Sequence, residues 1–306
     1  MDRRTFLLTA ATAAVSTLSR DVRAQVQAPA SASTGRFKLR YAPDFGAFKA
    51  HAGDDPIEVI RFASDQGFTA MFDNGLMGKP KDQQERIGQE MARLGMTLGP
   101  FVMFADWKEP TLVTGKKEVQ DMIVQKTHDA VEVAKRTGCK WALLVPGLCS
   151  QRLEWDFQTA NVVDMLRACA QVAEPAGLVI VIEPLNWWAN HPGLFLQKIP
   201  QAYQICKAVG SPSVKIINDL YHQQITEGNL IPNIDRAWDQ IAAFHVGDNP
   251  GRQEPGTGEI NYRNVFKHIY SKGYAGVLCM EHGNSKGTGR DAERSLIAAY
   301  RAADDF

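Results

Sequence analysis

Four residues at or beside the ends of short apolar runs offer this chain's most specific chemistry. Glu183 follows Val179-Ile-Val-Ile182, Asp219 follows Val214-Lys-Ile-Ile-Asn218, His245 sits in Ile241-Ala-Ala-Phe-His-Val246, and Glu281 follows Gly276-Val-Leu-Cys-Met280. Each has an ordinary explanation when taken alone. A glutamate at a strand end can pair with a nearby Lys or Arg, Asp219 can cap a helix, and a lone strand histidine can be a satisfied core residue. Their spacing argues for a joint role, because separations of 36, 26 and 36 residues each match one strand-plus-helix unit. A carboxylate at the end of a buried strand is costly unless it is paired or bound to a cation. Three carboxylates and one imidazole brought to a common mouth predict one divalent cation. Hard oxygen donors suit Mn²⁺ or Mg²⁺, and a site with one nitrogen also tolerates Zn²⁺ or Co²⁺. The chemistry expected there is removal of a proton beside a carbonyl in a small hydroxycarbonyl or sugar-like compound.

Positioning four strand exits around one ion requires a parallel α/β frame, which carries its chemistry at the carboxyl ends of the strands. The chain alternates accordingly. Strands are predicted at 37–41, 68–72, 97–104, 140–145, 178–182, 214–217, 241–246 and 276–280. Helices are predicted at 55–66, 81–94, 116–137, 157–176, 200–209, 233–239, 262–271 and 291–302. Gly95 and Gly138 follow two of these helices, as helix C-termini favour, and Pro56 suits a first helical turn. Eight such units in one chain predict a single (β/α)8 TIM barrel over 36–306. An open doubly wound sheet is the competing architecture, but no G-x-G-x-x-G follows the first strand.

The first 24 residues are expected to be a twin-arginine signal peptide rather than part of the fold. Arg3-Arg4 precede a weakly apolar stretch, and Val22-Arg23-Ala24 offers the small residues of a cleavage site. That stretch is shorter than the roughly 20 residues of a membrane span. A periplasmic protein with no membrane anchor after cleavage is therefore expected. Residues 25–35, rich in Ala, Ser and Pro, read as a flexible leader. Once the signal's four arginines and two aspartates are set aside, a slight excess of acid remains. A nucleic-acid partner would need a surplus of basic charge, so none is expected. The five cysteines contain no C-x-x-C pair, and buried inert thiols are the simpler reading.

Three further segments add detail: Glu183-Pro-Leu-Asn186 with Pro192-Gly-Leu-Phe-Leu196, Asp219-Leu-Tyr-His222 with Glu227-Gly-Asn-Leu230, and Asp248-Asn-Pro-Gly-Arg252 with Glu254-Pro-Gly-Thr-Gly-Glu259. Together they resemble the hydroxypyruvate isomerase family of xylose isomerase-like barrels, a group that also contains ketose 3-epimerases and endonuclease IV. The resemblance implies that Glu183, Asp219, His245 and Glu281 bind the metal, and that Glu183 and Glu281 shuttle the proton. It also implies that His222 and Arg252 contact substrate oxygens. Beside them, Glu254 is expected to orient Arg252 or meet substrate, and Trp187 to bind substrate as an apolar wall against a sugar's C–H face. Two departures stand out. The strand-seven ligand is His245, as in the epimerases, where hydroxypyruvate isomerases carry glutamine. Phe72-Asp73-Asn74 lacks the glutamate that many relatives show at the second strand.

Arg252 alone could instead form a surface pair with Glu254, and Trp187-Trp188 could be simple rim packing. The expected activity is metal-dependent isomerisation through an enediolate, with a homodimer as the assumed assembly. Three alternatives stay open: ketose 3-epimerisation, an exported lyase or hydrolase acting on 3-keto-glycosides, and a binding protein that has lost turnover. A DNA-repair nuclease fits poorly, because a multi-zinc site needs many histidines and this chain has seven.

Overall fold

A computed structural model describes residues 35–306, so the expected signal segment and all of the leader but Gly35 lie outside the described residues. In chain order the elements are β1 (Arg40–Ala42), α1 (Lys49–Ala52), α2 (Pro56–Asp65), β2 (Ala70–Met71), α3 (Lys81–Arg93), β3 (Thr97–Leu98) and β4 (Phe101–Phe104). There follow α4 (Lys117–Thr137), β5 (Trp141–Leu144), α5 (Trp155–Ala173), β6 (Val179–Ile182), α6 (Ile199–Val209) and β7 (Val214–Asp219). The chain ends with α7 (Leu220–Thr226), α8 (Leu230–Ala237), β8 (Ile241–Val246), α9 (Tyr262–Ser271), β9 (Val277–Met280) and α10 (Arg290–Ala303).

Every strand pair is parallel, and seven strands run β1-β9-β8-β7-β6-β5-β4. The pair β2-β3 closes the ring through a bridge from Asp44 to Phe72 on one side and the Val102 N–H to Asn74 carbonyl bond (3.1 Å) on the other. The architecture is the expected (β/α)8 barrel. The expected third strand, 97–104, is broken at Gly99-Pro100 into β3 and β4. Pro100 has no N–H to give a ladder. The apolar character of Phe101–Phe104 hid that break.

Two clusters form the core. Side chains inside the barrel include Ala42, Leu143, Val181, Ile217, Ala243 and Cys279. The larger cluster lies between strands and helices and takes the alternate strand residues, such as Ile180, Ile182, Ile216, Phe244 and Met280. This division follows from the two-residue period of a strand. It also settles the next step outward: Glu183, Asp219, His245 and Glu281 each continue the inward-facing series by two residues. The five cysteines are free, and four of them are buried.

Helix ends are set by local chemistry. Asp55 caps α2 by accepting from the Ile57 N–H, and Gly138 and Gly210 end α4 and α6 in left-handed geometry. The sequence pattern missed α7 because that helix is short and starts directly at the end of β7 with no intervening loop. The helix expected at 233–239 is α8, displaced toward Leu230.

Candidate metal centre

Glu183, Asp219, His245 and Glu281 converge as their spacing predicted: each offers one ligand atom, and these atoms all lie within 4.8 Å of one another. The His245 Nδ1 stands 2.7 Å from Glu183 Oε1, 3.1 Å from Glu281 Oε2 and 4.0 Å from Asp219 Oδ2. Glu183, Asp219 and His245 are buried, whereas the Glu281 side chain is 23 % exposed and marks the open side. Three carboxylates and an imidazole nitrogen facing one point suit a small divalent cation. Burying that much negative charge without one is costly.

The electrostatics express that cost. Burial pushes the Glu183 carboxyl up to about 7, against the opposing pull of His245. Burial also acts on Glu281, but His245 and Arg252 outweigh it and hold that carboxyl well below the usual range. Burial alone would disfavour a charged His245, yet the facing Glu281 and Glu183 carboxylates hold its imidazole well above the usual histidine range. Among the described groups, His245 and Arg252 supply the positive charge that a cation would otherwise bring.

Asp219 does two things at once. Its Oδ1 accepts from the His222 N–H at 3.0 Å and caps α7, while its Oδ2 faces the cage. The capping and ligand readings of Asp219 are therefore compatible.

Arg252 reaches the cage from a loop. Its Nη2 lies 2.6 Å from Glu281 Oε2 and 3.3 Å from Asp219 Oδ2, so it pairs with these two carboxylates and not with Glu254. The loop is organised by the buried Asp248. Its carboxylate accepts from the N–H groups of Gly256 (2.9 Å), Gly258 (2.9 Å) and Ile260 (3.1 Å). Only glycine fits at 258, where a Cβ would lie 2.2 Å from the Asn249 carbonyl oxygen. Arg252 itself has φ 52°, an uncommon conformation for a residue with a Cβ. Such strain is found where a side chain must be aimed.

The remaining expected contacts divide. His222 is fully buried, and its Nε2 has no partner and lies 3.6 Å from Asp219 Oδ2, so it is free to meet a ligand. Burial pushes its imidazole down to about 4, which keeps it neutral. Glu254 accepts from the Ser285 N–H (2.8 Å) and hydroxyl (2.5 Å) and so ties its loop to the segment after β9. Trp187 packs on the barrel interior and donates to the Leu194 carbonyl at 2.6 Å. Trp188 is 79 % exposed.

Three residues at the mouth were not singled out from sequence. Asn74, at the exit of β2, donates to Glu281 Oε1 at 2.6 Å. It stands at the segment where the usual glutamate is missing. His191 lies 5.3 Å from His222, ring centre to ring centre, and Trp107 stacks on its outer face at 4.8 Å. With Trp107 half exposed, a row of neighbouring rings runs from His222 beside the cage to the surface. A cavity of about 430 Å³ opens beside Glu281, lined by Phe72, Asn74, Lys79 and His282 among others. A larger cavity, about 870 Å³, lies at the opposite end of the barrel, against the strand starts at Arg40, Thr97 and Trp141. Its lining brings no carboxylates together.

Residues 60–302 match the family model described as a xylose isomerase-like TIM barrel. The hydroxypyruvate isomerase of Escherichia coli (strain K12) is 34% identical over 148 residues, covering 48% of this chain and 55% of that protein. The chain thus spans about half the length of the curated relatives it matches. Among solved structures, the apo 3-keto-D-glucoside 4-epimerase from E. coli covers 87% of this chain and 98% of its own, with 19% identity and a TM-score of 0.70. An IOLI protein solved with a bound zinc atom covers the same shares at 17% identity and a TM-score of 0.69. Identities this low carry the fold and nothing further.

Proposed function

Because the chain belongs to the xylose isomerase-like TIM barrel family, we propose that it is a divalent-metal-dependent isomerase of small hydroxycarbonyl or sugar substrates. The observation that carries this reading is the convergence of Glu183, Asp219, His245 and Glu281 within 4.8 Å at four strand exits. These four residues would hold the ion, with Mn²⁺ or Mg²⁺ the best match to the oxygen-rich set and Zn²⁺ or Co²⁺ tolerated. The ion, when bound, stabilises the negative charge that develops on adjacent substrate oxygens as the carbon loses its proton.

The chain's own groups do the rest. Glu183, lifted to about 7 by burial, is suited to take a proton near neutral pH and return it. Glu281 faces the same space from three strands away in the ring, with its Oε1 fixed by Asn74. Returning the proton to the neighbouring carbon, with the hydroxyl proton moving between the two oxygens, gives isomerisation. Returning a proton to the original carbon from the opposite face gives epimerisation. Arg252 and His222 present N–H groups to substrate oxygens, and Arg252 can hold a carboxylate through its planar fork.

The likeness to hydroxypyruvate isomerase favours a short hydroxycarbonyl substrate. A second reading, action on 3-keto-glycosides, is favoured by the aromatic path through His191 to Trp107, which would accommodate a second ring. Periplasmic export through the Arg3-Arg4 signal belongs to the proposal and is tested by cell fractionation.

Metal-reconstituted protein incubated in D₂O with hydroxypyruvate, a panel of ketoses and a 3-keto-glycoside separates the readings. Deuterium at the carbon beside the carbonyl, lost in Glu183→Gln, is the expected result. Release of a free aglycone would establish the second reading. Binding without any hydrogen exchange would leave a binding protein and end the enzymatic proposal.

A further inference from the structure

We infer that Asn186 fixes the tautomer of His222, so that a neutral imidazole presents its Nε2–H as a donor to an oxygen of the bound substrate. Amide orientation and histidine tautomer are ordinarily ambiguous from heavy-atom positions. Here backbone groups remove the ambiguity. The side-chain oxygen of Asn186 faces the N–H groups of Ala189 at 2.9 Å and Asn190 at 3.3 Å. Only an acceptor can face two backbone donors, so the amide cannot be flipped.

Its NH₂ group must then point the other way, toward His222 Nδ1 at 2.6 Å and Asn190 Oδ1 at 2.9 Å. The backbone N–H of Asn186 approaches the same Nδ1 at 3.3 Å. A ring nitrogen that receives two donors must be the unprotonated one. The single proton of the neutral ring is therefore on Nε2. That atom is buried without a partner and lies 3.6 Å from Asp219 Oδ2, at the edge of the metal cage.

Two consequences follow. His222 cannot act as a base toward the substrate, because the nitrogen facing the cage already carries its proton. Carbon deprotonation is left to the carboxylates. The ligand group that meets His222 must also be an acceptor: a carbonyl, carboxylate or hydroxyl oxygen. The identity of that acceptor rests on the isomerase reading, whereas the tautomer does not.

The test is long-range ¹H–¹⁵N correlation on Mg²⁺-loaded protein with ¹⁵N-labelled histidine. With seven histidines in the chain, the His222 signals are assigned by their disappearance in His222→Gln. The expected spectrum has a pyrrole-like Nε2 and a pyridine-like Nδ1. Asn186→Asp places a carboxylate against Nδ1 and is expected to draw a proton onto it, abolishing the pyridine-like signal. A pyrrole-like Nδ1 in the unaltered protein, or an unchanged spectrum in Asn186→Asp, overturns the inference. The unaltered protein decides the matter alone if the variant does not fold. A protein that exchanges no substrate hydrogen still gives these spectra, so failure of the isomerase reading is separately visible.

Discussion

Removing the charge of Glu183 should make the metal-free protein more stable at neutral and alkaline pH while abolishing its stabilisation by metal. The ligand atoms of the cage lie within 4.8 Å of one another. Two like unit charges at that distance repel by roughly 3.5 kcal/mol at an effective dielectric of about 20. Burial adds a separate cost at Glu183. Its carboxyl is lifted from 4.5 to about 7 by burial, which corresponds to about 3 kcal/mol of free energy. The sign follows from proton counting. Between the two values the folded state binds more protons than the unfolded chain, so stability falls as pH rises through that window. Glu183→Gln has no such proton to lose.

Urea unfolding of chelator-treated wild type and Glu183→Gln at pH 5 and pH 8 measures the difference. Asp44, Glu227 and Asp304, whose carboxyls are also raised by burial, contribute equally to both proteins and cancel. The wild type should lose about 3 kcal/mol more than the variant between the two pH values. Millimolar Mn²⁺ should restore the wild type at pH 8 and leave the variant nearly unchanged, since a ligand stabilises only the state that binds it. Parallel pH dependences, or equal stabilisation of both proteins by Mn²⁺, would refute the argument that these carboxylates form one electrostatic unit.

The two roles of Asp219 should separate. Asn is a good helix cap, so Asp219→Asn should keep α7 while weakening metal binding at least tenfold by calorimetry. Asp219→Ala should in addition lose about 1 kcal/mol of stability. Arg252 pairs with Glu281 and Asp219, so on the proposed reading it would compete with an ion for them. Arg252→Ala should therefore tighten metal binding several-fold in the same calorimetric titration, while raising the KM for a substrate bearing a carboxylate. Glu254→Ala removes two hydrogen bonds to Ser285 and should cost about 2–4 kcal/mol in urea unfolding. Its metal affinity should match wild type, because Glu254 faces away from the cage.

What the sequence determined by itself was the frame and the four residues that converge at its mouth. Strand side chains alternate with a period of two, so a residue two beyond a core-facing position continues toward the barrel axis whatever the rest of the chain does. That rule brought Val181 to Glu183, Ile217 to Asp219, Ala243 to His245 and Cys279 to Glu281, and unit spacing alone sufficed to join them. The break at Gly99-Pro100 and the position of α7 escaped because hydrophobic pattern does not register a missing N–H or a helix that begins without a loop.

Loop residues obey no such period, and there only the tertiary structure decided. Arg252 and Glu254 are two residues apart, yet one turns into the cage and the other out to Ser285, because hydrogen bonds to the buried Asp248 shape that loop. Asn74 and Glu281 meet although 207 residues separate them. The orientation of Asn186 depends on backbone N–H groups that converge only after the loop beyond β6 has folded. Repeating backbone geometry fixes which strand residues face the axis, whereas the direction of a loop side chain is set by contacts that exist only once the barrel has closed.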